Sequence, residues 1–336
     1  MRPVGTALLA TTILTTSVTL AQADVKVVAS IKPVHSLVAA VMQGVDTPYL
    51  LVDGAGSPHT YALKPSQARQ LQDADLVFWM SHDLEAFLEK PIESIATNAT
   101  SVQLMESHGL TKLNFREGGA FASHDHDDHD DKDHDDHDDH GHDHKDHDDH
   151  GHDDKDHDDK DHDGVDPHVW LDPANAKAMI HEIEEALVAA DPAHAAAYEA
   201  NTEALMLKID SLVAEVDAEL EPVKGRGYVV FHDAYQYFEA RFGVSAIGSI
   251  TVSPEVLPGA ERVSELQEKV RDLDAACVFS EPQFKPKLVA TVTENTNAGT
   301  GVLDPLGATI ENGPELYFTL IRNMANSLKE CLVKSG

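Results

Sequence analysis

Thirteen histidines crowd one stretch of this chain. They are His124, His126, His129, His134, His137, His140, His142, His144, His147, His150, His152, His157 and His162. Between His124 and Asp163 they alternate with 21 aspartates, four lysines and two glycines, and with no apolar side chain. Neutral imidazoles and carboxylates are the donors that borderline divalent cations such as zinc accept, so the composition points to metal contact. Nothing in the run can bury surface to offset the entropy of ordering, and disorder is expected. Metal bound there must order the chain, so each such site should be weaker than a preformed one.

A second set of histidines is placed differently. His59 follows the apolar run Pro48–Asp53 across the turn Gly54-Ala55-Gly56-Ser57-Pro58. His168 stands between the acidic run and a helical pattern, and His232 closes the apolar run Gly227–Phe231. Asp304 follows the short run Gly301–Leu303. In open α/β sheets, ligands bind at the carboxyl ends of strands. Three imidazoles completed by a carboxylate or a water make a tetrahedral zinc site. The same donor set can serve catalysis, but the chain has no HExxH pattern to supply a general base. Glu281, in Ser280-Glu281-Pro282, is the one candidate for that role and could equally be structural. Binding is therefore expected rather than catalysis. His35 opens the first helical pattern and competes as a core or supporting residue. His82 and His108 fall on expected exposed loops, and His181 and His194 on solvated helix faces.

Alternating elements surround these residues. Asp24–Ala29, Pro48–Asp53 and Leu76–Met80 read as strands. Val34–Gln43 and a helix capped by Ser66 and ending at Gln72 separate them. Two long helical patterns follow Asp172-Pro173, from Ala174 to Ala190 and from Ala193 to Glu221, with Asp191 and Pro192 at the second start. The second would be about 45 Å long. Strands at Gly227–Phe231, Ala275–Ser280 and Gly301–Leu303, with helices at Ala234–Phe242, Ala260–Leu273 and Pro314–Lys329, then repeat the first half in outline. The fold class is α/β: two (β/α) lobes with parallel-sheet cores joined by a long rigid helix, with the metal in the cleft between them. The expected divisions are 24–190 for the N-terminal lobe, 191–222 for the linking helix and 223–336 for the C-terminal lobe.

The formal charge is −34, half of it in the acidic run, which disfavours binding nucleic acid. Residues 1–23 read as a secretory signal. Arg2 precedes an apolar run from Ala7 to Leu20, and Ala21-Gln22-Ala23 offers a cleavage site. That run is interrupted by threonines and falls short of the ~20 apolar residues a spanning helix needs. Export to an oxidising compartment favours a disulfide between Cys277 and Cys331, the only cysteines. Closing that loop could contribute about 4 kcal/mol. Two buried thiols or a pair of metal ligands are the alternatives, and neither cysteine has the close Cys or His partner of a zinc knuckle.

Seven segments in order carry a resemblance: Ser30–Gly44, Gly56–Gln67, Asp166–Pro173, Phe231–Gly243, Ser253–Val263, Cys277–Phe284 and Leu303–Gly307. Over nearly its whole length the chain resembles the periplasmic zinc-binding proteins of bacterial zinc ABC transporters, the ZnuA type of solute-binding protein. The resemblance implies that His59, His168 and His232 bind Zn2+, with Asp304 or water as the fourth ligand. It also implies a monomeric periplasmic receptor that serves a membrane permease, and it supports the Cys277–Cys331 pairing. Related manganese receptors carry Glu where this chain has His232, and nitrogen there favours zinc. Some zinc members place an acidic residue just before the first histidine. Pro58 stands there in this chain, so that extra ligand is missing. The acidic run, typical of the family, could capture zinc, sense it or act as a sink. A storage protein working mainly through that run is the alternative function.

Overall fold

The computed structural model describes residues 25–116, 121, 164–251, 259–272, 275–285 and 287–334. The expected signal segment at 1–23, the thirteen histidines from His124 to His162, and the start of the Ser253–Val263 segment lie outside the described residues.

The first sheet is built from β1 (Val27–Ile31), β2 (Tyr49–Val52), β3 (Leu76–Trp79) and β4 (Thr100–Gln103). All pair in parallel, in the order β2-β1-β3-β4. Every residue of β1 and β3 is buried, as expected of inner strands covered on both faces. Helices α1 (Lys32–Val41), α2 (Pro65–Gln72) and α3 (Ala86–Ser94) make the crossovers. Helix α2 begins one residue before the expected Ser66 cap. Lys64 is its N-cap, and the Gln67 side chain accepts the Lys64 N–H at 2.9 Å. Pro65 supplies the φ that suits a first turn.

Helix α4 (Pro173–Ala190) starts where Asp172 accepts the Ala174 N–H at 2.8 Å, a side-chain N-cap. Helix α5 (Ala195–Leu220) has 26 residues and is therefore about 39 Å long. Short 3-10 turns at Pro192–His194 and Glu221–Val223 flank it, which trims the expected span at both ends. Its buried residues Tyr198, Thr202, Leu205, Ile209, Leu212, Val216 and Leu220 recur every three or four positions, one stripe of a straight helix.

The second sheet repeats the first. β5 (Tyr228–His232), β6 (Ala246–Thr251), β7 (Cys277–Ser280) and β8 (Gly299–Val302) are parallel in the order β6-β5-β7-β8. Helices α6 (Gln236–Phe242), α7 (Ala260–Asp272), α8 (Lys287–Val292) and α9 (Leu316–Lys334) complete the lobe. Gly243 ends α6 in the left-handed region at φ 68°, which costs glycine nothing. Helix α9 runs five residues past the expected Lys329, because Cys331 and Leu332 continue its buried face. Cys277 of β7 is joined to Cys331 of α9 by a disulfide, with Cα atoms 6.2 Å apart.

One continuous core takes in both faces of the first sheet and the inner face of the second, joined through α4, α5 and α9. A smaller core lies on the outer face of the second sheet. β5 shows how residue parity divides them. Val229 and Phe231 face the outer core, and Tyr228 and Val230 the shared one. His232 has the parity of Tyr228 and Val230, so the pleat turns it towards the first lobe. Among the described residues no helix is long and apolar enough to cross a membrane.

Gly301 of β8 lies opposite Phe279 of β7. A Cβ at 301 would fall 2.5 Å from Cε1 of that fully buried ring. Gly301→Ala should therefore displace the ring and cost about 1–3 kcal/mol of stability. Urea unfolding checks this, and an unchanged midpoint would mean that the core has room to spare.

Candidate metal centre

Three of the four expected ligands meet. One nitrogen of each of His59, His168 and His232 lies within 4.8 Å of the other two. The ring centroids are 5.3 to 6.0 Å apart. In a tetrahedral zinc site with Zn–N near 2.0–2.1 Å, ligand nitrogens stand about 3.4 Å apart. Small inward movements of the rings would close the set on an ion.

Each ring arrives on a different element. His59 is the middle residue of a 3-10 turn, Pro58–Thr60, in the connection from β2 to α2. His168 precedes the 3-10 turn Val169–Leu171, whose three residues are all buried in the shared core. His232 is the last residue of β5 itself rather than the residue after the strand.

Two of the rings are oriented by carboxylates. His168 Nδ1 donates to Asp166 Oδ1 at 2.6 Å, and His232 Nδ1 donates to Glu281 Oε1 at 2.7 Å. A carboxylate accepts, so in the neutral ring each Nδ1 carries the proton and each Nε2 keeps its lone pair. The Nε2 of His232 is buried and has no hydrogen-bond partner. A buried nitrogen left this way is costly unless something binds it. The chemistry of the donor set, three imidazoles and no thiolate, fits zinc.

The electrostatics separate the rings. Burial, with His168 and His232 close by, holds His59 well below the ordinary imidazole pKa, so it is neutral at pH 7. Burial also works against a charge on His232, but the Glu281 carboxylate outweighs it and raises that ring above its ordinary value. Zinc and protons compete for the same nitrogens. Zinc affinity should therefore decline with acidification from above pH ~6.5, the ordinary imidazole midpoint. Competitive titrations at pH 8, 7 and 6 test this, and a flat profile would contradict imidazole ligation.

Asp304 stands apart from the cluster. Its Oδ1 accepts from Gln283 Nε2 and from the N–H groups of Leu306 and Gly307, at 3.0, 3.2 and 2.9 Å. Its Oδ2 accepts the Ala308 N–H at 2.6 Å. The carboxylate is occupied in shaping the turn Asp304–Gly307. His35 is buried, with Nε2 3.1 Å from the Pro48 carbonyl, and belongs to the core. His82 lies 2.9 Å from Asp83, His181 3.6 Å from Glu184 and His194 2.6 Å from Asp191, all on the surface. His108 is exposed.

Several supporting residues could not be found from spacing. Arg116 reaches across to the second lobe, where Nη1 donates to Glu239 at 2.6 Å and Nε to Asp233 Oδ2 at 3.0 Å. Asp233 directly follows His232. Asn114 and Val165 form an antiparallel rung, and Phe115 N–H donates to the Gly164 carbonyl at 2.8 Å, so the two ends of the acidic segment leave side by side. Trp170 Nε1 donates to the Pro305 carbonyl at 2.9 Å, and Tyr317 Oη donates to the Trp170 carbonyl at 2.7 Å. These bonds tie the His168 segment of the first lobe to the Asp304 turn and α9 of the second.

A sequence profile of the periplasmic zinc-uptake complex component A, ZnuA, matches residues 27–331. The chain belongs to this family. The high-affinity zinc uptake system protein ZnuA of Brucella abortus is 58% identical over 308 residues, which covers 92% of each chain. The protein of the same name from Paracoccus denitrificans is 41% identical over 314 residues, 93% of each. Among solved structures, the solute-binding protein FpvC of Pseudomonas aeruginosa in complex with Mn2+ superposes with a TM-score of 0.72 at 17% identity, over 94% of this chain and all of that one. Such a likeness speaks to the fold alone. ZnuA family membership agrees with a bilobal α/β architecture whose three histidines converge between the lobes.

Proposed function

We propose that this chain is a periplasmic receptor that captures Zn2+ on His59, His168 and His232 and delivers it to the permease of an ABC transporter. The observation that carries this reading is the convergence of three ligating nitrogens, one of them buried and without a partner, in a member of the zinc-uptake family. A water completes the tetrahedron in this reading, because the four donors on Asp304 leave its oxygens engaged. Nitrogen ligation favours zinc over manganese, the ion named for FpvC. The role is binding and not catalysis, and Glu281, the candidate base, spends Oε1 on His232. The receptor is taken to act as a monomer.

The segment His124–Asp163 serves as an accessory store in this account, with weaker sites that feed the cleft. A flexible chain of 40 residues has a typical end-to-end distance of about 35 Å, enough to reach the cleft mouth. The second reading, a sequestration protein that works through this segment, rests on the segment's composition. A competitive zinc titration against a chromophoric chelator separates the two, using the full chain and a version lacking Asp125 to Asp163. One tight site that survives the deletion and is lost in His59→Ala supports the receptor. Tight binding that vanishes with the segment supports sequestration.

A further inference from the structure

The three imidazoles are supported unequally. His232 is braced by Glu281 from its own lobe. No hydrogen bond to the His59 ring is found among the described residues. His168 is braced by Asp166, and that carboxylate is itself held from the opposite lobe. Asp166 Oδ1 accepts from the backbone N–H and from Nδ1 of His168, at 3.0 and 2.6 Å. Its Oδ2 accepts from Gln236 Nε2 at 2.7 Å. The same Nε2 donates to the Asn114 carbonyl at 3.1 Å. Both neighbours of the amide are acceptors, so its nitrogen must face them, and both of its hydrogens are used.

Asp166 and His168 lie in neither helix nor strand. Regular backbone structure therefore does not aim the His168 ring. Asp166 is fully buried, and Gln236, the first residue of α6, nearly so. A buried carboxylate with one oxygen unpaired would rotate to recover a donor. Its grip on Nδ1 would loosen as it turned.

We propose that Gln236 is a positioning residue for the metal, holding Asp166 so that His168 presents Nε2 to the cleft. A residue of the second lobe thereby sets the geometry of a ligand in the first. The inference rests on His168 being a zinc ligand.

The test is a cycle on the full chain with Gln236→Met, Asp166→Asn and the double variant. Zinc affinity is read by chelator competition, and ligand geometry by the visible spectrum of the Co2+ form. Gln236→Met should weaken zinc about tenfold, in the range found for outer-layer partners of metal ligands, and should shift the Co2+ bands. In the Asp166→Asn background the same change should alter affinity by less than about twofold, because the two act in series. An equal loss in both backgrounds, or an unaltered affinity and spectrum in Gln236→Met, overturns the proposal. If Gln236→Met does not fold, Gln236→Asn keeps the amide, falls short of Asp166 and is read in the same two backgrounds. His168→Ala separates the two levels. If the tight site keeps its affinity in His168→Ala, the ligand assignment fails. If the tight site is weakened on the order of a hundredfold or more in His168→Ala while Gln236→Met is silent, only the positioning role fails.

Discussion

His232→Ala should weaken zinc binding by a factor on the order of 10²–10³. A structural zinc site contributes about 10–16 kcal/mol over its ligands, so one nitrogen is worth roughly 3–4 kcal/mol. The substitution also removes the donor from Glu281, whose carboxylate is 3% exposed and whose Oε2 already lacks a partner. The metal-free protein should therefore lose stability as well. Asp304→Asn is the informative contrast. An Asn side chain keeps one acceptor oxygen for the turn, and zinc affinity should change by less than about tenfold if water is the fourth ligand. Chelator competition on both variants checks this. A large loss in Asp304→Asn with a small one in His232→Ala would reverse the ligand assignment.

Glu85→Gln should stabilise the metal-free protein at pH 8 by up to about 3 kcal/mol. Glu85 is fully buried at the start of α3, where its Oε2 accepts the N–H groups of Met80 and Ser81 at 2.8 and 3.2 Å. Burial pushes its pKa up to about 7 from the usual 4.5. A carboxyl with a raised folded pKa binds its proton more tightly in the native state. Its contribution to stability is complete below pH 4.5 and is lost as the pH rises through about 7. The glutamine carries no charge to bury and keeps an oxygen for the two N–H groups. Urea unfolding of both proteins at pH 5 and pH 8, with chelator present, measures the difference. The gap between them should open only at the higher pH, and a constant gap would rule out titration of Glu85.

Much of this architecture can be read from residue patterns, and the failures have physical causes. The inner strands are mostly apolar, with one polar residue each near the carboxyl ends of β1, β5 and β7, and β1, β3, β5 and β7 were all expected. β4 was missed because only Val102 of its four residues is buried, the pattern of an edge strand. β6 was missed because Gly248 and Ser249 interrupt its apolar run. Pro91 stands inside α3, where it removes a helical N–H and masks the element. The short α8 was also missed, since its six residues are too few to show a period. The three histidines that converge were legible as candidates because strand ends are where such sheets bind ligands. Their supports were not. Gln236 and Asp166 are 70 residues apart in the chain, and Arg116 and Asp233 are 117 apart, so no local pattern records either pair. Asp304 was read as a ligand candidate for its position, whereas the N–H groups that engage it belong to the turn that follows.

The rung between Asn114 and Val165 bears on how such a chain can change over generations. The acidic segment departs and returns at adjacent points, and the frame is already closed beneath it. The entropy of closing a flexible loop grows only with the logarithm of its length, at about 0.6 kcal/mol per doubling. Repeats of aspartate and histidine can therefore be gained or lost by slippage at little thermodynamic cost to the lobes. Selection is left free to adjust the number of histidines there without disturbing the two lobes.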